Sequence, residues 1–361
     1  IYNMSNTFHF PIFTAQAGIP FEKQLSDLQE QLQRWLQARG LSVGHLVFSR
    51  IYLTDAANQA EVLRRHPLYG ACLSVAAFSY VEQPLIGGAK VALHAWVVDA
   101  EDILRSGGPD RMKVRIGAVN LLFQSVRLKE EEARGLGAYE QTELAFCRHI
   151  NWLAEENMNL SEHCHRTWLY VRDVDRNYAG VVAARNKVFD GCGLTADTHF
   201  IASTGIGGAS DNRQALVASD FFSVCGTDSL EVKYLQALDY LNPTAEYGVA
   251  FERGTALTLL SSRLRFISGT ASIDNHGNCL YRGDVAAQTE RMFLNISKLL
   301  EDDGASLADV AYFVVYLRDI SDYVWVNDYM ERRFPGTPRL IVEARVCRPE
   351  WLVEAECVAV S

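Results

Sequence analysis

Two ionisable residues near the C-terminus have the types and the spacing that acid–base chemistry on a carboxylate requires. Arg339 opens one apolar run, and Glu354, fifteen residues later, lies inside a second one. An arginine can bind a carboxylate through two parallel hydrogen bonds. A buried glutamate can stay protonated at neutral pH and act as a general acid. The pair therefore predicts a site that holds an anion and transfers a proton.

The pattern around these residues leaves a second interpretation open. Alternation in residues 351–358 puts Glu354 and Glu356 on the face opposite Val353 and Ala355. Burying a carboxylate there is costly unless the group is paired or protonated. The pattern by itself favours an edge strand with Glu354 facing water, and an arginine at a strand start is usually a surface residue.

Composition narrows the class of protein. The chain has 361 residues, 48% of them hydrophobic and 22% charged, with a net charge of −10. These values are typical of a soluble globular protein with two or three domains. We expect no nucleic-acid partner, because there is no basic run, and no membrane partner, because no apolar run is long enough to span one. Eight scattered cysteines and no secretory signal predict a cytoplasmic protein with reduced thiols.

Other chemical motifs are weak or incomplete. His163, Cys164 and His165 have metal-ligand types but no second ligand pair at a suitable spacing. Residues 205–208 do not form a nucleotide-binding glycine motif, and the sequence has no nucleophile elbow. We therefore expect no metal and no cofactor.

A repeated pattern organises the chain. Tyr-x-x-Asp ends a β-like run at Tyr52, Tyr170 and Tyr316. Helical spacing of apolar residues precedes each copy, at about 21–39, 139–155 and 286–302, and a second helix and two strands follow. The third copy also begins with a hairpin, residues 265–281. This order predicts an α/β (α+β) fold of three related modules, 1–105, 106–240 and 241–361, each a sheet with helices on one face.

The C-terminal residues resemble a known family. The residues that carry the resemblance are 267–270, Asp319, 338–339 and 352–354. Over about 247–361 the chain is similar to the small trimeric RidA/YjgF enamine/imine deaminases, whose arginine and glutamate act in clefts between subunits. The resemblance implies a pseudo-trimer of YjgF-like modules, with one active site between the second and third, since only the third has the Arg–Glu pair.

The whole chain resembles the chorismatases, through residues 166–173, 178, 185–186 and 202–207. That resemblance implies cofactor-free conversion of chorismate, a small dicarboxylate, to pyruvate and 3-hydroxybenzoate, with some 4-hydroxybenzoate as an open alternative. Glu354 matches the catalytic glutamate. Arg339, Arg185 and Tyr178 match substrate-binding residues, and Cys347 matches a cysteine of the 3-hydroxybenzoate-forming subfamily.

Further expectations complete this interpretation. Tyr247 and Gly269 are candidate substrate-binding residues, and cations near Cys347 would lower the pKa of its thiol. The thiol would open or steer an epoxide-like intermediate. We expect a monomer. The alternatives are a chorismate hydrolase that gives a dihydroxycyclohexadiene carboxylate, a deaminase that needs only Arg339 and Glu354, and a carboxylate-binding sensor without activity.

Overall fold

The computed structural model describes residues 7–226 and 230–361, which form three β-sheets with helices packed on them. Amphipathic helices and alternating strands follow one another as the apolar spacing predicts. The first module contains β1 (Thr7–His9), β2 (Ile12–Thr14), α1 (Phe21–Gln37), β3 (Leu46–Leu53), α2 (Ala56–Arg65), β4 (Ala77–Glu82) and β5 (Val91–Asp99).

The second and third modules have six-stranded sheets. The second contains β6 (Ile103–Gly108), β7 (Arg111–Ile116), β8 (Val119–Arg127), α3 (Glu130–Ala133), α4 (Ala138–Glu155), α5 (Leu160–His163), β9 (Cys164–Val171), α6 (Val174–Gly191), β10 (Ala202–Gly207) and β11 (Val217–Cys225). The third contains β12 (Val232–Tyr234), β13 (Gly254–Leu259), β14 (Ser262–Ala271), α7 (Val285–Glu301), β15 (Val310–Leu317), α8 (Tyr323–Arg333), β16 (Arg339–Glu343) and β17 (Val353–Val360).

One strand arrangement recurs in all three modules. The strand with the repeated tyrosine pairs in parallel with the next strand and antiparallel with the one after it: β3 with β4 and β5, β9 with β10 and β11, and β15 with β16 and β17. The tyrosines share one register: Tyr52 lies opposite Ala92, Tyr170 opposite Ala218 and Tyr316 opposite Glu354. The predicted fold of three related modules is confirmed.

The sheet faces away from the helices meet in a common centre. Trp96 of the first module packs on Phe123 and Phe222 of the second, with ring centroids 5.6 and 5.3 Å away, and on Phe266 of the third at 5.8 Å. Large aromatic side chains bury much apolar area there. Each sheet is therefore covered by helices on one face and by the other modules on the opposite face.

The helices complete this packing on the outside. In α1, Leu25, Leu28, Leu32 and Leu36 recur at helical spacing, and all four are buried. Within residues 7–226 and 230–361, the helices are all too short or too polar to cross a membrane.

Two predicted details differ from the structure. β14 forms its hairpin with the preceding β13, whereas residues 274–278 form a turn that is closed only by a bridge between Ile273 and Cys279. β6 pairs with β7 in the second sheet, and β12 pairs with β13 in the third. We therefore propose module boundaries near 100 and 230, slightly earlier than the predicted 105/106 and 240/241.

Candidate active site

A cavity of about 480 Å³ lies between the second and third modules. The second module contributes α6 and β10, and the third contributes β14, the start of β17 and the loop before β17. Of the residues chosen from the sequence, Tyr178, Arg185, Gly269, Cys347 and Glu354 line this cavity. Concave sites of this size between modules are typical of small-molecule binding.

Glu354 is a buried carboxyl group in the middle of a sheet. Its strand, β17, lies between β14 and β15, so that Glu354 has Ala271 on one side and Tyr316 on the other. The residue is 3% exposed. Burial raises the pKa of this carboxyl to about 8, and the charge of Glu356 adds to the rise. The edge-strand interpretation of Glu354 is wrong, and at neutral pH its carboxyl group is mostly protonated.

Glu356 belongs to a buried network that crosses the interface between the two modules. Its Oε2 accepts hydrogen bonds from Arg166 Nη2 at 2.7 Å and Thr204 Oγ1 at 2.5 Å, and its Oε1 accepts one from Trp168 Nε1 at 2.9 Å. Thr204 Oγ1 also accepts from the backbone N–H of Gly269 at 3.0 Å. The network therefore ties β10 of the second module to both strands that carry the site in the third.

Arg185 presents a buried positive charge. Arg185 lies on α6 and is 1% exposed, and its Nε and Nη2 have no hydrogen-bond partner among the described residues. The guanidinium carbon lies 5.6 Å from the ring centroid of Phe251. A buried cation with open donors is costly until an anion joins it. Arg185 is thus suited to bind a carboxylate in the cavity.

Tyr178 and Cys347 form a pair at the same cavity. The Tyr178 ring packs against Gly205, where an added Cβ would lie 2.8 Å from Cε2. Tyr178 and Cys347 lie close enough for each side chain to shift the pKa of the other. Burial raises the pKa of the Cys347 thiol to about 12, and the charge of Glu354 adds to the rise. Arg348 and Arg185 do lower this pKa, as expected, but burial outweighs their effect and the net shift is upward.

Arg339 lies outside this cavity, at the start of the edge strand β16. Its side chain is 19% exposed and is 3.5 Å from Glu331. Arg339 lies opposite Phe313 in the third sheet, just as Ser203 lies opposite Thr167 in the second. Ser203 lines the cavity. The β16-like strand that reaches this cavity therefore comes from the second module, and it carries a serine at the position of Arg339.

Several lining residues were not chosen from the sequence. Arg253 is 7% exposed, donates a hydrogen bond from Nη2 to the backbone oxygen of Asn242 at 3.0 Å, and lies 5.5 Å from the Phe251 ring. It immediately precedes β13, a strand that the sequence analysis did not predict. Tyr247 belongs to the turn Thr244–Tyr247, but its side chain lies outside the described part of the structure.

Among the described residues, no three His, Cys, Asp or Glu side chains lie close enough together to hold a metal ion. His165 is buried, whereas His163 is bound to the turn before it, where its Nδ1 accepts a hydrogen bond from the backbone N–H of Asn159 at 3.2 Å. The chemistry available in the cavity therefore comes from a protonated carboxyl group, a neutral thiol, a tyrosine hydroxyl and guanidinium groups.

Comparison with known proteins agrees with the fold. Residues 254–361 match the family model Endoribonuclease L-PSP. A crystal structure of chorismatase has 18% identity and a TM-score of 0.70, and the match covers 98% of this chain and 99% of that one. The chain thus has the chorismatase fold along its length, with a C-terminal module of the YjgF type.

Single-module proteins match about a third of the chain. RidA from an Antarctic Psychrobacter species has 25% identity over 35% of this chain and 98% of its own, with a TM-score of 0.30. Yeast Mmf1 has 17% identity over 36% of this chain and 99% of its own, with a TM-score of 0.31.

Proposed function

We propose that this protein is a chorismatase that converts chorismate to pyruvate and 3-hydroxybenzoate without a cofactor. The observation that carries the proposal is that the buried carboxyl group of Glu354, with its raised pKa, faces the same cavity as the buried guanidinium of Arg185. Two nitrogens of that guanidinium have no hydrogen-bond partner among the described residues. A proton donor and an anion-binding group in one cavity are what the breakdown of a dicarboxylic enol ether needs.

The cavity supports a ring with two carboxylates. Arg185 and Arg253 come from different modules, and both reach the lining, so one can hold the ring carboxylate and the other the enolpyruvyl carboxylate. Phe251 and Ile273 supply apolar surface for the ring. Arg253 takes the place that the sequence analysis gave to Arg339.

Proton transfer from Glu354 starts the proposed reaction. The proton goes to the methylene carbon of the enolpyruvyl group. The C4 hydroxyl oxygen then attacks ring carbon C3, the C3–O bond breaks, and its electrons form the ketone of pyruvate. The hydroxyl proton returns to Glu354, and the ring is left as an epoxide. Opening of the C4–O bond and loss of the C3 hydrogen give 3-hydroxybenzoate. The reaction as a whole neither consumes nor releases water.

Cys347 directs the second half of this reaction. Its thiol is neutral and the thiolate is the nucleophilic form, so the thiol proton passes to the epoxide oxygen as the sulfur adds to C4 and the C4–O bond breaks. Loss of the thiol from C4 together with the C3 hydrogen then restores Cys347 and forms the aromatic ring. Without this step, a water molecule can open the intermediate and give the non-aromatic diol acid.

The test is incubation of the purified protein with chorismate in the presence of EDTA, with pyruvate and ring products followed by chromatography. Equimolar pyruvate and 3-hydroxybenzoate are expected. A diol acid would keep chorismate as substrate but remove the role of Cys347. Binding of chorismate without consumption would overturn the proposal in favour of a sensor.

A further inference from the structure

A second cavity, of about 410 Å³, lies between the first and second modules. The first module contributes α2 and β4, and the second contributes β7, β8 and α4. Its lining is rich in arginine and aromatic residues: Arg64, Phe78, Tyr80, Arg111, Arg127 and Arg148. Nothing in the proposed reaction uses these residues.

This cavity occupies the same place between its modules as the candidate active site does between the second and third. Ser79 Oγ of β4 donates to Asp220 Oδ2 of β11 at 2.5 Å. At the equivalent interface, Thr204 Oγ1 of β10 donates to Glu356 Oε2 of β17 at 2.5 Å. The registers of the two strands agree. Ser79 lies opposite Arg50 and Thr204 lies opposite Trp168, and Arg50 and Trp168 are each two residues before the repeated tyrosine of their module.

The two cavities differ where the chemistry would occur. Ala218 has the register of Glu354, and the residue opposite it is Arg127, where the active-site cavity has Ala271. Arg127 Nη1 donates to Asp220 Oδ1 at 2.9 Å, while Oδ2 of the same carboxylate accepts from Arg50. One carboxylate thus faces two guanidinium groups. The second cavity has the guanidinium of Arg127 at its base and an alanine, Ala218, at the position of Glu354. The carboxylate in its lining is the exposed Asp110.

Three more arginines surround the cavity. They pair with carboxylates at 2.6–2.9 Å: Arg64 with Asp211, Arg111 with Glu155 and Arg148 with Glu132. These pairs are partly exposed, and ion pairs in contact with water are weak, so a carboxylate ligand can exchange into them. Gln124 also lines the cavity, and its side-chain nitrogen has no hydrogen-bond partner within the described ranges.

Aromatic rings form one wall. Tyr69 packs edge-on against Phe78 with centroids 5.1 Å apart, and Phe78 stacks on Tyr80 at 6.2 Å. Flat apolar surface next to guanidinium groups suits a planar ring that carries one carboxylate. We propose that this cavity is a second binding site, which takes a small ring carboxylate without converting it.

Fluorine NMR and calorimetry with 4-fluorobenzoate test this proposal independently of turnover. Arg185→Leu combined with Arg253→Gln removes both proposed carboxylate-binding groups from the candidate active site, so the remaining binding reports on the second cavity. We expect this variant to bind one equivalent. Adding Arg64→Gln and Arg148→Gln should weaken that binding at least about tenfold, since two charge-assisted contacts are lost.

Arg65→Gln is the matched control, because Arg65 neighbours Arg64 on α2 but its side chain is 77% exposed and pairs with Glu61. It should leave the affinity unchanged. No binding to the Arg185→Leu/Arg253→Gln protein, or equal binding with and without Arg64→Gln and Arg148→Gln, would overturn the proposal. Displacement of the fluorobenzoate by 3-hydroxybenzoate would support the proposed reaction product as the ligand, whereas displacement by benzoate alone would support a different ring carboxylate.

Discussion

Gly269 and Glu354 pack so closely that there is no room for a methyl group between them. A Cβ at Gly269 would overlap Oε1 of Glu354 and would lie 2.9 Å from its carboxyl carbon. β14 shifts its register against β17 between Ile267 and Thr270, and this irregularity brings the glycine backbone to the carboxyl group. The glycine therefore defines where the proposed acid can lie.

Gly269→Ala should displace the carboxyl group of Glu354 and lower kcat/KM for chorismate by about a hundredfold, because small misplacements of a reacting group are costly. Overpacking should also lower the free energy of unfolding by about 1–3 kcal/mol. Steady-state kinetics and urea denaturation measure the two effects. Gly191→Ala, at the end of α6 with open space around it, should change neither, and equal losses in both variants would contradict the assignment.

The pKa of Glu354 predicts how activity depends on pH. Because the folded-state pKa is about 8, the acid form is present below that pH and is lost above it. We expect kcat/KM to fall as pH rises through about 8, and Glu354→Gln to abolish turnover at every pH. A rate that stays constant to pH 9.5, or a variant with substantial activity, would show that another group supplies the proton.

The same pKa predicts a change in stability. It is raised from 4.5 to about 8, so between these values the unfolded chain releases a proton that the folded chain keeps. Stability should therefore fall with rising pH across this window, by up to about 1.4 kcal/mol per pH unit. Urea denaturation of Glu354→Gln should lack that contribution, and identical pH slopes for both proteins would contradict the buried, protonated state.

Much of the fold could be predicted because each module is encoded locally. The Tyr-x-x-Asp repeat marks the strand beside the parallel edge strand of each sheet. The helical spacing of Leu25, Leu28, Leu32 and Leu36 marks the face of α1 that is buried. β13 was not predicted, because its two threonines and small residues give a weak apolar alternation. The predicted hairpin partner of β14 was the segment after it, whereas the observed partner is β13 before it.

The site was harder to predict because it is assembled from two modules. Glu354 reaches the cavity on one side of the third module, whereas Arg339 lies on an edge strand that does not line this cavity. A sequence pattern can pair residues within one copy, but it does not state which copies are neighbours. Cys347 is half-buried, and desolvation at the cavity still raises its thiol pKa. The extent of that desolvation is not visible in the neighbouring residues of the sequence.

Arg185→Leu should raise KM for chorismate by about ten- to a hundredfold, because one charge-assisted carboxylate contact is removed. The protein should be as stable as the wild type or more so, since a buried cation with open donors is replaced by an apolar side chain. Arg176→Leu, on the same helix but with its side chain 81% exposed, is the control. A strong loss of stability in Arg185→Leu would point to a structural ion pair instead.

Cys347→Ala should redirect the product without stopping pyruvate release. The variant lacks the thiol that opens the proposed epoxide, so water takes its place and the diol acid accumulates. Product ratios by chromatography give the answer, and unchanged formation of 3-hydroxybenzoate would remove Cys347 from the mechanism. The raised thiol pKa also predicts slow alkylation by iodoacetamide at pH 8.

Arg339→Gln separates the proposed chorismatase from a deaminase built on Arg339 and Glu354. Since Arg339 lies beside Glu331 and does not line the cavity that contains Glu354, its loss should change kcat/KM for chorismate by less than about threefold, within the small range of a surface ion pair. Arg253→Gln should instead lower kcat/KM by about tenfold or more, as expected for a carboxylate contact. Kinetics of both variants side by side decide the matter, and the opposite order of effects would return Arg339 to the binding site.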